Sequence, residues 1–171
     1  AIGRAGVGVD NVDLDAATKK GIVVMNTPGG NAVSVAEHTM ALMLALVRRV
    51  PQADAALKQG RWEKKKLMGI ELRGKTLGLI GLGRIGTEVV RLASAFQMEI
   101  IAYDPYVSSM IARERDVRLV ALEDLLKSSD FISVHAAATP ETRHLLNART
   151  LATMKPGVRI INCARGELVN E

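Results

Sequence analysis

The sequence predicts an α/β protein built on a doubly wound parallel sheet, preceded by a remnant of another unit. Three observations carry that prediction. From Thr76 onward, short apolar runs alternate with stretches of helical periodicity. The first of those runs, Thr76-Leu77-Gly78-Leu79-Ile80, passes into Gly81-Leu82-Gly83-Arg84-Ile85-Gly86 and then into a helical pattern ending near Phe96. The next apolar run, Glu99-Ile100-Ile101-Ala102-Tyr103, ends on Asp104, eighteen residues after the last glycine of the motif.

Taken in order, residues 1–28 read as strand, turn, helix, strand. Asp13 to Gly21 has an acidic start, a basic end and a terminal glycine, the polarity of a short helix. Gly21 to Asn26 is a short β-branched strand, and Pro28-Gly29-Gly30 a loop able to act as a joint. Ser34-Val35-Ala36-Glu37 has the spacing of a capping box, which predicts a helix from there to about Val50, stopped by Pro51. That helix is apolar almost all round between Met40 and Val47, so burial on several sides is expected. A second helix is expected over about Gln52–Gln59, ended by Gly60. Beyond Tyr103, a polar stretch leads to a strand at Arg118–Val120, a helix at Ala121–Ser128 and a strand at Phe131–Val134. A helix at Asn147–Met154 and a strand at Val158–Cys163 follow. Right-handed crossovers then give the strand order 3-2-1-4-5, counted from Thr76.

Composition narrows the function. With 48% hydrophobic residues among 171, the chain can bury one core of ordinary size. Its longest apolar run, Met40–Val47, is too short for a bilayer span, and no signal-peptide pattern is visible, so no membrane partner is expected. The single cysteine, Cys163, excludes an internal disulfide and suits a reducing, cytoplasmic setting. The net charge of +5 invites a nucleic-acid reading, but aromatics at 3% leave few stacking platforms. Nucleic acid is therefore not expected, and the basic run Arg61–Lys66 reads as a solvated face. No cluster of Cys, His, Asp or Glu has metal-ligand spacing, so no metal is expected. Both ends, at Ala1 and Glu171, fall close to strands, as expected of a piece of a longer protein.

Strand, glycines, helix, strand and acid in this sequence make the dinucleotide-binding fingerprint. Gly81, Gly83 and Gly86 permit a tight turn and close backbone approach to a pyrophosphate. The helix that follows offers that anion unpaired N–H groups and a positive dipole end. A carboxylate at Asp104 accepts from ribose hydroxyls and repels a 2′-phosphate, which favours NAD over NADP.

In such a sheet, ligands bind outside the carboxyl ends of the strands. That rule marks Gly81–Gly86, Asp104, the segment from His135 to Pro140, and Asn162–Gly166. Arg165 stands just past the last strand, where a guanidinium can grip a carboxylate and polarise a neighbouring carbonyl. His135 is read as a structural histidine bonded to local backbone rather than as a general base. His38, in the apolar helix, and His144, near a turn, receive no role. Cys163 lacks an orienting base and reads as a small residue packing on the cofactor rather than as a nucleophile.

Five segments in order also carry a resemblance. They are Gly3-Arg4-Ala5-Gly6-Val7-Gly8-Val9-Asp10-Asn11-Val12-Asp13, Asn26-Thr27-Pro28-Gly29-Gly30-Asn31, Leu82–Gly86, Thr139-Pro140-Glu141-Thr142 and Asn162–Gly166. Together they resemble the D-isomer-specific 2-hydroxyacid dehydrogenases. The resemblance implies that residues 1–33 are the C-terminal piece of a substrate domain and 34–75 interdomain helices. It implies a homodimer through 34–50, and a Rossmann NAD-binding domain over 76–171 that is incomplete at its C-terminus. By the same resemblance Arg165 is the catalytic arginine, holding the carboxylate of a small 2-hydroxyacid and touching the cofactor. Arg84 and Ile85 lie at the pyrophosphate, and Asp104 at the ribose. Val7, Ala136, Cys163 and Ala164 line NAD, and Arg4 and Gly6 sit on the substrate-facing loop. Ala137 falls in the nicotinamide-side lining too; there it and Ala138 depart from the family's usual proline and larger apolar residue. The family's acid/base histidine and its glutamate partner fall beyond Glu171. Within the family the substrate reading extends to glyoxylate, hydroxypyruvate or D-lactate. Outside it, a non-catalytic, NAD-sensing corepressor-like protein suits the same fold.

Overall fold

The computed structural model describes residues 1–171. Near the N-terminus, strands β1 (Ile2–Gly3) and β2 (Val24–Met25) pair in parallel as a two-stranded sheet. Helix α1 (Leu14–Lys19) connects them, and the Asp13 side chain caps it by accepting from the Ala16 N–H.

Helix α2 (Ala32–Val47) begins two residues earlier than its sequence suggests. Asn31 precedes it without a side-chain cap, so Ser34 and Glu37 lie inside the helix and the expected capping box does not form. Burial of Ala32 and Ala36 draws the chain into helix before Ser34 is reached. The helix ends at Val47, and Arg49, in the left-handed region at φ 52°, turns the chain into α3 (Val50–Lys58). Pro51 therefore opens the second helix instead of ending the first. In the first turn its missing N–H costs nothing and its fixed φ is already helical.

The main sheet has five parallel strands: β3 (Thr76–Ile80), β4 (Glu99–Tyr103), β5 (Arg118–Leu119), β6 (Phe131–Val134) and β7 (Arg159–Asn162). Their spatial order is β5-β4-β3-β6-β7, the expected doubly wound arrangement. Helix α4 (Arg84–Ala95) crosses over between the neighbouring strands β3 and β4, α6 (Leu122–Ser128) returns the chain from the edge strand β5 past β4 and β3 to β6, and α7 (Ala148–Leu151) is shorter than its sequence suggests. Helix α5 (Ser109–Arg113), capped by the Ser108 hydroxyl, lies in the stretch that reads only as polar.

Period-2 alternation splits the core between the two faces of the sheet. Leu77 and Leu79 of β3 and Phe131 of β6 face α2 and α4, packing with Met43, Val89 and Ala93. Ile80, Ile101, Ile132 and Val134 face the other way, toward Leu125 and Leu126 of α6 and Leu146. The central strands are buried on both faces, which is why they read as continuous apolar runs.

Helix α2 departs from the expectation of burial on several sides. Met40, Met43 and Val47 pack into the core, whereas Leu42 and Leu46 are 41% and 49% exposed. No helix is long and apolar enough to cross a membrane.

Candidate functional site

Register builds the site. Ile80 pairs with Tyr103 on one side and Val134 on the other, and Val134 pairs with Asn162. The next residue of each strand therefore falls in one row along the carboxyl edge: Asp104, Gly81, His135 and Cys163. This is the edge where ligands bind in doubly wound sheets.

At the centre of that row the glycine turn is tight. Gly81 sits at φ +96°, and a Cβ there would come within 2.9 Å of the Ala136 N and the His135 carbonyl carbon. At Gly86 a Cβ would collide with the Gly81 carbonyl oxygen, so only glycine lets α4 start this close to β3. Around Gly83, by contrast, a Cβ would meet nothing within 4 Å. Gly83 is also the N-cap of α4 and supplies no side-chain cap. The first N–H groups of the helix are thus without partners, as an anion site requires. Arg84 and Ile85 open that helix, with Arg84 exposed and Ile85 half-buried.

Asp104 does more than the fingerprint asks of it. Its Oδ2 accepts from the Leu82 N–H at 2.8 Å, and its Oδ1 accepts from the Tyr106 N–H at 2.9 Å. These bonds tie the glycine loop to the end of β4. A carboxylate has about four lone-pair sites, so acceptor capacity remains for ribose hydroxyls. A cavity of about 270 Å³ opens beside it, lined by Gly81, Gly83, Asp104, Ala136, Ala137 and Thr142 among others.

His135 lines the same cavity and is half-buried. Its Nε2 lies 2.8 Å from the Ser133 Oγ, and its Nδ1 is buried without a partner. The expected bond to local backbone is thus replaced by a bond to a side chain two residues back, on the same face of β6. Burial pushes the imidazole down to about 4, so it is neutral at pH 7. No carboxylate pairs with it, nor with His38 or His144. His38 lies exposed on α2, contrary to its placement in a buried helix, and His144 is exposed in the left-handed region.

At the far end of the row, Cys163 and Ala164 are half-buried, and Arg165 is exposed at the start of a 3-10 turn, Gly166–Leu168. The Arg165 guanidinium reaches the N-terminal segment: Nη2 and Nε both donate to the Asp10 Oδ2, at 2.6 and 3.1 Å. Arg165 in turn holds the Asp10 carboxyl below the usual carboxylate range. At the glycine turn, Gly29 approaches the Arg84 side chain. Gly8 and Asp10 thus stand against Arg165, and Gly29 against the start of α4. Val7 and Gly6 are half-buried there; the Asn26 Nδ2 donates to the Val7 carbonyl at 2.9 Å. Arg4 is exposed, folded back so that Nη1 donates to the Ala5 carbonyl and the guanidinium lies over Gly6.

The structure therefore brings Gly81, Gly83, Asp104, Ala136 and Ala137 around one cavity, places Ala164 and Arg165 at a second one past β7, and leaves Arg4 in contact only with its own loop. Sequence reasoning missed Asp10 and Ser133. Asp10 sits on a glycine-spaced loop with no periodicity to mark it, and Ser133 reads simply as a strand residue.

This arrangement has close counterparts. Residues 40–171 match the family described as D-isomer specific 2-hydroxyacid dehydrogenase, NAD binding domain. The chain belongs to that dehydrogenase family. A D-3-phosphoglycerate dehydrogenase of Archaeoglobus fulgidus is 56% identical over 170 residues, which is 99% of this chain and 32% of that protein. One from Methanocaldococcus jannaschii is 55% identical over 171 residues, 99% of this chain and 33% of that protein. Among solved structures, D-lactate dehydrogenase from Aquifex aeolicus, complexed with NAD and lactic acid, superposes with a TM-score of 0.89 at 39% identity. That match covers 99% of this chain and 51% of the other. The chain thus spans about a third of the length of the curated relatives it matches. The matched family unit is an NAD-binding domain, and NAD is the cofactor. The residues present fit it: an uncapped helix N-terminus, a glycine turn that excludes side chains, and an acid with spare acceptor capacity.

Proposed function

We propose that this chain is the central portion of an NAD-dependent D-3-phosphoglycerate dehydrogenase, oxidising 3-phosphoglycerate to 3-phosphohydroxypyruvate toward serine. The observation that carries this reading is identity of 56% and 55% over 99% of the chain to two proteins of that name. Residues 76–171 are the cofactor domain, 1–33 the end of a substrate domain, and 34–75 the helices between.

When bound, NAD supplies the hydride acceptor for the substrate C2. The uncapped start of α4, at Arg84 and Ile85, receives the pyrophosphate, and Asp104 accepts from the ribose hydroxyls. Val7, Ala136, Ala137, Cys163 and Ala164 line the cofactor, their small side chains leaving room for close packing. Arg165 holds the substrate carboxylate and places positive charge beside the carbonyl that develops at C2. Arg4 and Gly6 face the substrate from the N-terminal loop. The proton leaves the substrate hydroxyl for a histidine–glutamate pair outside these residues, because no histidine here is paired with a carboxylate. The 171-residue chain by itself is therefore expected to be inactive. The exposed apolar side of α2, with Leu42 and Leu46, is the expected homodimer contact, and a cytoplasmic setting suits a protein with one free cysteine.

The test is a substrate profile of the full-length enzyme that carries this chain, followed as NADH formation or consumption. Highest kcat/KM is expected with 3-phosphoglycerate. Higher values with D-lactate, glyoxylate or hydroxypyruvate would place it among the reductases of the family. NAD binding without turnover of any 2-hydroxyacid would favour a binding protein.

A further inference from the structure

Arg165 has five N–H groups. Three are used in the structure: Nε and one on Nη2 donate to Asp10, and one on Nη1 donates to the Ala164 carbonyl at 3.0 Å. One N–H therefore remains on each terminal nitrogen. Each terminal nitrogen thus keeps a donor for a further acceptor, such as a carboxylate. Asp10 occupies the side edge, through a single oxygen. Its carboxylate thus leaves donors on both terminal nitrogens, and it fixes the plane in which they are presented.

Gly8 lies against the pair: a Cβ there would crowd the Arg165 Nη2 and the Asp10 Oδ2, so the absent side chain leaves both free to meet without shifting. The two partners are 155 residues apart in sequence, one on the N-terminal loop and one past β7. The Asp10 and Arg165 side chains are 65% and 42% exposed, so the pair contributes little to stability by itself. Its consequence is geometric. A long, exposed arginine has many rotamers, and holding it in one of them removes a search that substrate binding would otherwise have to complete.

We propose that Asp10 is a positioning residue for the reaction: it clamps the side edge of the Arg165 guanidinium and so fixes the orientation in which the remaining N–H groups meet the substrate carboxylate. This rests on the reading of Arg165 given above. It assigns to the N-terminal loop a part in carboxylate recognition that does not require the loop to touch the substrate.

The experiment compares the unsubstituted full-length enzyme with Asp10→Asn, Asp10→Ala and Asp10→Glu. The readouts are kcat and KM for 3-phosphoglycerate, the NAD dissociation constant and the thermal midpoint. Asp10→Ala is expected to lower kcat/KM by roughly ten- to a hundredfold. NAD affinity should stay within about twofold and the thermal midpoint should barely move. Asp10→Asn, which keeps one acceptor but not the charge, should fall between the two. Asp10→Glu, which keeps the charge on a longer arm, should recover part of the loss. In parallel, the Arg165 Nε–H resonance of the unsubstituted protein should exchange slowly with water and be lost in Asp10→Ala. Unchanged kcat/KM in Asp10→Ala would overturn the proposal while leaving the role of Arg165 intact. Tighter substrate binding in Asp10→Ala would overturn it in favour of Asp10 as a competitor for the arginine. A fall in kcat/KM matched by an equal loss of NAD affinity or of folding would also overturn it, showing a structural effect only. No turnover by the unsubstituted enzyme would overturn the underlying reading of Arg165, and the proposal with it.

Discussion

His135 is expected to make folding of this domain sensitive to mild acid. Its Nε2 is engaged by Ser133 and its Nδ1 is buried without a partner, so the imidazolium would hold a buried Nδ1–H with no acceptor. Burial lowers the imidazole from 6.5 to about 4. The unfolded chain therefore takes up the proton first as pH falls, and stability is lost between the two values. It is fully present above about pH 6.5 and declines as pH drops toward about 4. Between pH 7.5 and pH 5 the linkage amounts to about 2 kcal/mol. For a chain of this size that corresponds to roughly 4–8 °C in thermal midpoint. Urea unfolding at pH 7.5, 6.5, 5.5 and 5.0 measures it, with His135→Gln as the reference in which other titrations cancel. The difference between the two stability curves should grow by about 2 kcal/mol across the range, with the unsubstituted protein losing more. Parallel curves would show that the imidazole protonates freely in the folded protein and that its burial has no such consequence.

Three further outcomes follow from the fold and the site. Leu46→Glu, on the exposed side of α2, should shift the protein from dimer toward monomer by light scattering without unfolding it; an unchanged species would show that this face is not the contact. Gly86→Ala should destabilise the domain by about 1–3 kcal/mol in denaturant and weaken NAD binding, because the added methyl meets the Gly81 carbonyl rather than a movable side chain. The purified 171-residue chain should form no measurable NADH from NAD and 3-phosphoglycerate, since general acid–base catalysis supplies about 10²–10⁴ in rate and no paired base is present. Turnover abolished by Arg165→Ala would mean that a group within the chain, with His135 foremost, takes the proton.

How much of this was legible depended on what each residue's signal measures. Strands β3, β4 and β6 appear at their sequence-derived bounds because their buried residues leave short, mostly apolar runs set off by polar or glycine neighbours. Helix α5 left no such trace, since it is short, capped by Ser108 and buries only Ala112. Ser34 and Glu37 have the right spacing for a cap, but a spacing carries no information about where tertiary packing starts the helix. Pro51 likewise marks a helix boundary without saying which side of it the helix lies on. In the site, the glycines and Asp104 were legible because a phosphate-binding turn needs a fixed local spacing. The pairing of Arg165 with Asp10 was not, because it is made by the topology of the whole chain. The partner of His135 was missed for a smaller reason: residues i and i+2 share a face of a strand, but nothing in the sequence says that both side chains are polar toward each other.

The central claim is that the carboxyl edge of the main sheet is a cradle for NAD, with Asp104 at the ribose. Calorimetric titration of the protein with NAD and with NADP tests it most directly. NAD should bind at one site and at least roughly tenfold more tightly than NADP, since lost charge-assisted hydrogen bonds cost about 1.5–3 kcal/mol. Asp104→Ala should close most of that gap, with unfolding curves recorded alongside because the Leu82 N–H loses its acceptor in the same variant. Equal affinity for the two cofactors in the unsubstituted protein would contradict the account.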